Sequence, residues 1–252
     1  MNAPVIEICD IHKSFNGVDF VHRGLNLEIP KGSITVLIGF SGTGKSVLLK
    51  MILGLEKPTS GEIKVLGKSL SAIHGRELTA FRKNFGVLFQ NAALFDDMTA
   101  LENVMFPLNE HKRSSSVEER QAIARSRLKV VSLEDKHFSK LPSELSGGMR
   151  KRVGLARAIA LEPEIMLYDE PTTGLDPILT EMVDDLILTT QKHHPGMTSV
   201  IVSHDLSAAF RIGDYVAMMD SGKILLFGTP QDFLKSDIEL VRRFVAKGVG
   251  KA

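Results

Sequence analysis

Tryptophan is absent, tyrosine occurs twice and cysteine once among the 252 residues, so stacking on a ligand ring falls mainly to the 13 phenylalanines. With Cys9 alone, an intrachain disulfide and a multi-cysteine zinc site are excluded, and a reducing compartment is suited. Cys9 is expected as a small residue packed within a strand. Charge of one sign is also lacking. Lys plus Arg number 31 against 30 Asp plus Glu, a net charge of +1, which leaves no basic footprint for nucleic acid, and no nucleic-acid partner is expected. Apolar stretches such as Ile34 to Phe40 and Ile165 to Tyr168 fall far short of the roughly 18 to 20 residues that cross a bilayer. Met1 to Asp10 has no basic segment leading into a long apolar run, so no secretory leader is expected. Solenoid repeats and low-complexity segments are missing too.

What is present is the composition of an ordinary globular protein, 43% hydrophobic and 24% charged. Val5 to Phe15 and Val18 to Ile29 read as strands around Asn16-Gly17, a pair that favours a tight hairpin turn. Ser33 to Gly39 is a continuous β-branched run, the pattern of a strand buried on both faces. Ser46 to Leu55 is helical in composition and ends at Gly54, with Pro58 beyond. Pro58 to Gly61 turns into a further strand pair, Glu62 to Leu66 and Gly86 to Phe89. The middle of the chain predicts helices around Leu101 to Leu108 and Val117 to Val131, joined by the polar stretch His111 to Ser116. Strands return at Ile165 to Asp169, Ser199 to Ser203 and Tyr215 to Asp220, with helical segments between the first two and after Asp205. In Asp237 to Ala246, apolar positions 238, 241 and 245 at helical spacing predict a last helix packed on its own core. This alternation predicts an α/β fold: a mostly parallel core sheet, an N-terminal antiparallel β subdomain and an inserted helical subdomain. The expected organisation is one domain over 1–252, with 1–90 and 146–252 as the core lobe and about 91–145 as the helical lobe.

Gly39-Phe40-Ser41-Gly42-Thr43-Gly44-Lys45-Ser46 fits the phosphate-loop pattern G-x-x-x-x-G-K-S/T between a buried strand and a helix. Its glycines let the backbone curl so that successive N–H groups point at phosphate oxygens, aided by the positive end of the following helix. Lys45 is expected on the β- and γ-phosphates and the Ser46 hydroxyl on Mg²⁺. Ile165 to Glu170 is an apolar strand ending in two acids, which places Asp169 at the sheet's carboxyl edge to hold Mg²⁺ through water. Glu170 beside it can act as general base toward an attacking water, so the pair points to hydrolysis of a nucleotide.

Leu145-Ser146-Gly147-Gly148-Met149 opens a helix, a second anion site built from a hydroxyl and exposed N–H groups. With this element the sequence resembles the ATP-binding-cassette ATPases, whose signature is LSGGQ or a near variant, and the resemblance covers nearly the whole chain. It implies that Ser146, Gly147 and Gly148 complete the ATP site of an opposite protomer in a head-to-tail homodimer. It also implies that Gln90 senses Mg²⁺ and the attacking water, that Asp176 lies at the dimer contact, that His204 contacts the γ-phosphate, and that Phe15 stacks on adenine. Two departures stand out: Phe40 where many relatives have Pro, and Met149 where Gln is frequent.

Leu94, Phe95 and Met98, with Asp96 and Asp97 at the rim, could form an adaptable apolar surface; in the family this stretch receives a permease. The wording Ala93-Leu94-Phe95-Asp96-Asp97-Met98-Thr99, Phe106-Pro107-Leu108 and Leu141 to Met149 looks most like the ATPases of the bacterial Mla-type, MCE-associated lipid transporters. That likeness implies phospholipid transport linked to outer-membrane asymmetry, a peripheral place on the cytoplasmic face of the inner membrane, and an integral permease, an MCE-domain protein and a small STAS-domain protein as partners. An importer of amino acids or another small solute, and a soluble ATP-driven switch uncoupled from transport, are the alternatives.

Overall fold

The computed structural model describes residues 3–249. They fall into two compact units, one formed by the chain up to Arg82 and from Gly196 onward, the other by Lys83–Pro195. The first unit opens with β1 (Pro4–Ser14), β2 (Phe20–Pro30), β3 (Ile34–Gly39), α1 (Lys45–Ile52), β4 (Ser60–Val65), β5 (Lys68–Ser69) and α2 (Gly75–Phe81). The second holds β6 (Phe85–Leu88), α3 (Ala100–His111), α4 (Val117–Val130), α5 (Gly147–Ala158), β7 (Ile165–Asp169) and α6 (Pro177–His193). The chain then returns to the first unit with β8 (Thr198–Val202), α7 (Leu206–Ile212), β9 (Tyr215–Asp220), β10 (Lys223–Gly228), α8 (Pro230–Leu234) and α9 (Glu239–Val249). No helix among the described residues is long and apolar enough to cross a membrane.

In the first unit β3 pairs in parallel with both β8 and β9, and β10 closes antiparallel on β9. All six residues of β3 and all five of β8 are buried, as their β-branched content requires of strands covered on both faces. The antiparallel sheet β2-β1-β4-β5 has alternating burial instead, with Ile6, Ile8 and Ile11 of β1 turned inward opposite Ile29, Leu27 and Leu25 of β2. In the second unit β6 runs parallel to β7, and α3, α4 and α5 pack on one another. Thr99 with Glu102 and Ser116 with Glu119 form capping boxes that fix where α3 and α4 begin.

Three local expectations are corrected. Asn16-Gly17 is not a two-residue turn: the hairpin loop runs from Phe15 to Asp19, because the Asn16 side-chain oxygen accepts the N–H groups of Val18 (3.0 Å) and Asp19 (2.8 Å) and so replaces a backbone acceptor. The strands near 62–66 and 86–89 are not partners of each other, since β4 pairs with β1 and β5 while β6 pairs with β7. Cys9 does lie in β1 but is exposed, on the face of the strand opposite the inward Ile8. The last helix packs against α7 and α8 of its own unit with Val241 fully buried, as expected, whereas Ile238, at the same spacing, precedes the helix and is exposed and Val245 is half-buried.

Candidate functional site

β3 delivers the chain into the phosphate loop and α1 takes it away. Gly39 turns at φ 152°, and a Cβ there would lie 2.4 Å from the Met219 carbonyl oxygen on β9. Gly44 holds φ 95° at the N-cap of α1, where a Cβ would come within 2.6 Å of the His22 ring; no other residue type fits either position. Gly42 also adopts a left-handed conformation, at φ 81°. Ser41 is exposed, and Ser46 follows Lys45 in the first turn of α1. The Lys45 ammonium is buried and donates to the carbonyls of Gly39 (2.9 Å) and Phe40 (3.0 Å). Thr43 donates its hydroxyl to the Phe40 carbonyl at 2.9 Å.

His204 follows β8 and is exposed, on a turn that ends where Asp205 caps α7 through the N–H groups of Ser207 and Ala208. His204 shares a groove of 480 Å³ with one residue of the phosphate loop, Phe40, and with Arg243, Phe244 and Lys247. Phe15 stands 63% exposed in the hairpin loop. The ammonium of Lys13, anchored on Glu56 and the Lys57 carbonyl, sits 4.5 Å from its ring centroid, a cation–π contact that steadies the ring.

In the second unit Asp169 ends β7, half-buried, after four fully buried residues. Glu170 bends the chain at once, with φ 49°, a left-handed conformation that costs a non-glycine residue about 1–2 kcal/mol. Thr173 donates its hydroxyl to the Glu170 Oε2 at 2.9 Å and so orients the carboxylate. Gln90 is exposed just after β6. Ser146 caps α5, its Oγ accepting the Met149 N–H at 3.3 Å, which leaves its hydroxyl proton as a donor. Gly147 is half-buried, and Gly148 is buried against Met182 of α6. Gln90, Gly147, Thr173 and Gly174 line one 390 Å³ cavity, so this unit gathers the glutamine, the start of α5 and the turn after Glu170. Asp176 caps α6 by accepting the Leu179 N–H at 2.9 Å.

Residues 22–173 match the profile of a family described as ABC transporter. The chain belongs to the ABC transporter family. The cassette is 40% identical over 95% of its length to a protein named probable ribonucleotide transport ATP-binding protein mkl, from Mycobacterium leprae, and spans 68% of that relative. It is 39% identical to the intermembrane phospholipid transport system ATP-binding protein MlaF of Haemophilus influenzae, over 96% of the cassette and 90% of that protein. The L-cystine import ATP-binding protein TcyN of Bacillus subtilis is 37% identical over 96% of the cassette and 93% of that protein. Among solved structures, the ATP-binding cassette MJ0796, dimeric in a post-hydrolysis state with ADP and Pi, superposes with a TM-score of 0.80 at 34% identity, covering 89% of the cassette and 98% of that chain. The cassette is an ATP-binding ATPase of this family with its α/β fold.

Three residues of the cassette escaped the motif reading. Lys151, on α5, is 6% exposed and donates to the carbonyls of Pro171, at 2.7 Å, and of Gln90. Burial pushes its pKa down from 10.5 to about 8. A single side chain thus ties the helix opened by Ser146 to the segments that carry Gln90 and Glu170. Its spacing of three and four from Gly148 and Leu155, both buried, was the available signal. Asn103, fully buried on α3, accepts the Phe95 N–H at 2.9 Å and donates to the carbonyls of Phe95, Met98 and Thr99 at 3.0–3.1 Å. His22, fully buried under the phosphate loop, hydrogen-bonds the Gly44 carbonyl at 3.2 Å, and burial holds its pKa below the usual histidine range. Within β2, where polar and apolar residues are mixed, a single histidine carries no sign of that contact.

Proposed function

We propose that the cassette is the ATP-hydrolysing subunit of a phospholipid transporter that maintains outer-membrane lipid asymmetry, acting as a homodimer on the cytoplasmic face of the inner membrane. The observation that carries this reading is the likeness to MlaF, which extends over 90% of that protein at 39% identity. The partners in this reading are an integral permease, an MCE-domain protein and a small STAS-domain protein. The permease docks on the surface made by Leu94, Phe95, Asp96, Asp97 and Met98, where Phe95 packs on Phe106 with centroids 4.6 Å apart and both acids are exposed. The cassette is one functional domain, 1–252, with 1–90 and 146–252 as its core lobe and about 91–145 as its helical lobe.

The residue roles in this reading join the local chemistry of each group to what the family resemblance implies. N–H groups of Gly39 to Ser46 and the Lys45 ammonium hold the phosphates of ATP, and Phe15 stacks on the adenine. Ser46, Asp169 and Gln90 offer a hydroxyl, a carboxylate and an amide oxygen, hard donors of the type Mg²⁺ takes when phosphates and water supply the rest, so each by its own chemistry fits the ion. When bound, Mg²⁺ neutralises charge on the phosphate oxygens. Glu170, oriented by Thr173, accepts the proton of the water that attacks the γ-phosphorus, while His204 donates a hydrogen bond to the γ-phosphate. The Ser146 hydroxyl and the N–H groups of Gly147 and Gly148 face the γ-phosphate held by the partner protomer, and Asp176 lies at that contact.

Two experiments test the proposal. Glu170→Gln is expected to keep ATP binding and trap the dimer while steady-state hydrolysis falls by at least about a hundredfold; retained turnover would remove Glu170 as the base. Purification of the cassette from detergent-solubilised membranes is expected to bring down a permease together with an MCE-domain protein. The likeness to TcyN supports a second reading, an amino-acid importer, and recovery of a solute permease without an MCE protein would establish that one instead. A complex without any permease would overturn both.

A further inference from the structure

Helix α9 reaches the phosphate loop through one aromatic contact. Val241 is fully buried and fixes the helix on its unit, and three residues later Phe244 meets the ring of Phe40 edge to face, with centroids 5.6 Å apart and planes at 89°. Phe40 is otherwise 50% exposed. Its backbone carbonyl accepts three hydrogen bonds within the loop, from the Thr43 N–H at 3.3 Å, the Thr43 hydroxyl at 2.9 Å and the Lys45 ammonium at 3.0 Å. Ring and carbonyl belong to the same residue, so whatever fixes the ring limits rotation of the peptide plane that positions Lys45. The need for such a restraint is local. Gly39 on one side and Gly42 and Gly44 on the other leave this backbone with broad conformational freedom. A proline at position 40 would supply its own φ restraint through its ring; phenylalanine supplies none and depends on packing.

We propose that Phe244 is a positioning residue for nucleotide binding: α9 grips the Phe40 ring and thereby holds the Phe40 carbonyl, Thr43 and Lys45 in the arrangement that receives phosphate. The C-terminal helix is then part of the ATP-binding apparatus, although it touches no nucleotide, and displacement of α9 lowers affinity for ATP. The proposal rests on the reading of Gly39 to Ser46 as the ATP site.

The test is a double-mutant cycle on the full-length protein with Phe244→Ala, Phe40→Ala and both together, following steady-state hydrolysis and equilibrium binding of a fluorescent ATP analogue. Phe244→Ala is expected to raise KM and Kd by about three- to tenfold, the range of an aromatic pair, with kcat at saturation within about twofold of wild type. Phe40→Ala is expected to weaken binding similarly, and the double variant to be no weaker than the worse single one. Phe244→Tyr, which keeps the ring, is expected to bind like wild type. Unchanged affinity in Phe244→Ala, or effects that multiply in the double variant, would overturn the proposal. Should Phe244→Ala lack the circular-dichroism signature of the folded protein, Phe244→Leu takes its place under the same criteria. Lys45→Ala separates the two levels: wild-type binding there removes the ATP-site reading itself, whereas lost binding alongside an unaffected Phe244→Ala removes only the role of α9.

Discussion

Replacing Lys151 by methionine sets two sizeable effects against each other. Burial has displaced the ammonium pKa from 10.5 to about 8. At about 1.4 kcal/mol per pH unit, that displacement corresponds to roughly 3 kcal/mol spent on keeping the charge inside the fold at neutral pH. Against it stand two charge-assisted hydrogen bonds, to Gln90 and Pro171, worth about 1.5–3 kcal/mol each. The balance favours lysine modestly, so Lys151→Met is expected to lose about 1–3 kcal/mol in urea unfolding at pH 7. The pH dependence is sharper. A pKa depressed by folding means that the unfolded chain binds more protons between pH 8 and 10.5, so wild-type stability gains from this group as pH rises through that window. Methionine has no such gain. The gap between the two proteins is therefore expected to widen by roughly 2.5 kcal/mol, to about 3.5–5.5 kcal/mol at pH 10. A gap that stays constant from pH 7 to pH 10 would refute the desolvation of the ammonium, and equal stability at pH 7 would refute the bridge between the two carbonyls.

Thr173→Ala removes the hydroxyl that orients Glu170 and is expected to lower kcat about tenfold with KM for ATP unchanged, measured by phosphate release. Asn103→Ala leaves part-buried backbone groups of Phe95, Met98 and Thr99 without their side-chain partner, and a loss of about 1–3 kcal/mol is expected in chemical denaturation. For His22, whose pKa burial depresses, the unfolded chain takes up the proton first as pH falls through 6.5. Wild type is accordingly expected to lose stability relative to His22→Leu between pH 7 and pH 5, compared by thermal melts; parallel behaviour of the two would count against the buried neutral imidazole.

Much of this molecule is legible from residues whose roles are local. The strand from Ile34 to Gly39, the loop glycines and the start of α1 are dictated by burial on two faces, positive φ angles and a following helix, all encoded within a dozen positions. The acids at the end of β7 are read the same way. The hairpin loop was misread because Asn16 uses its side chain rather than its backbone preference, and β10 was missed although Ser221-Gly222, at φ 49° and 79°, is a turn of the type that joins such strands. Lys151, His22 and Phe244 act on partners remote in the chain, 20 to 61 residues away for Lys151, so no window of neighbouring residues contains the interaction. Their roles depend on which face of a helix or strand is buried and on what lies beneath it.

Asn103 also separates the shape of one surface from its chemistry. Because a buried side chain on α3 holds the backbone from Phe95 to Thr99, that segment keeps its curve whatever stands at the exposed positions 96 and 97. Side chains there can be exchanged one at a time, each altering charge or bulk on an unchanged frame. A single asparagine thereby makes this edge of the cassette open to redesign, so that variants of one ATPase could be fitted to different membrane partners without refolding the unit that carries them.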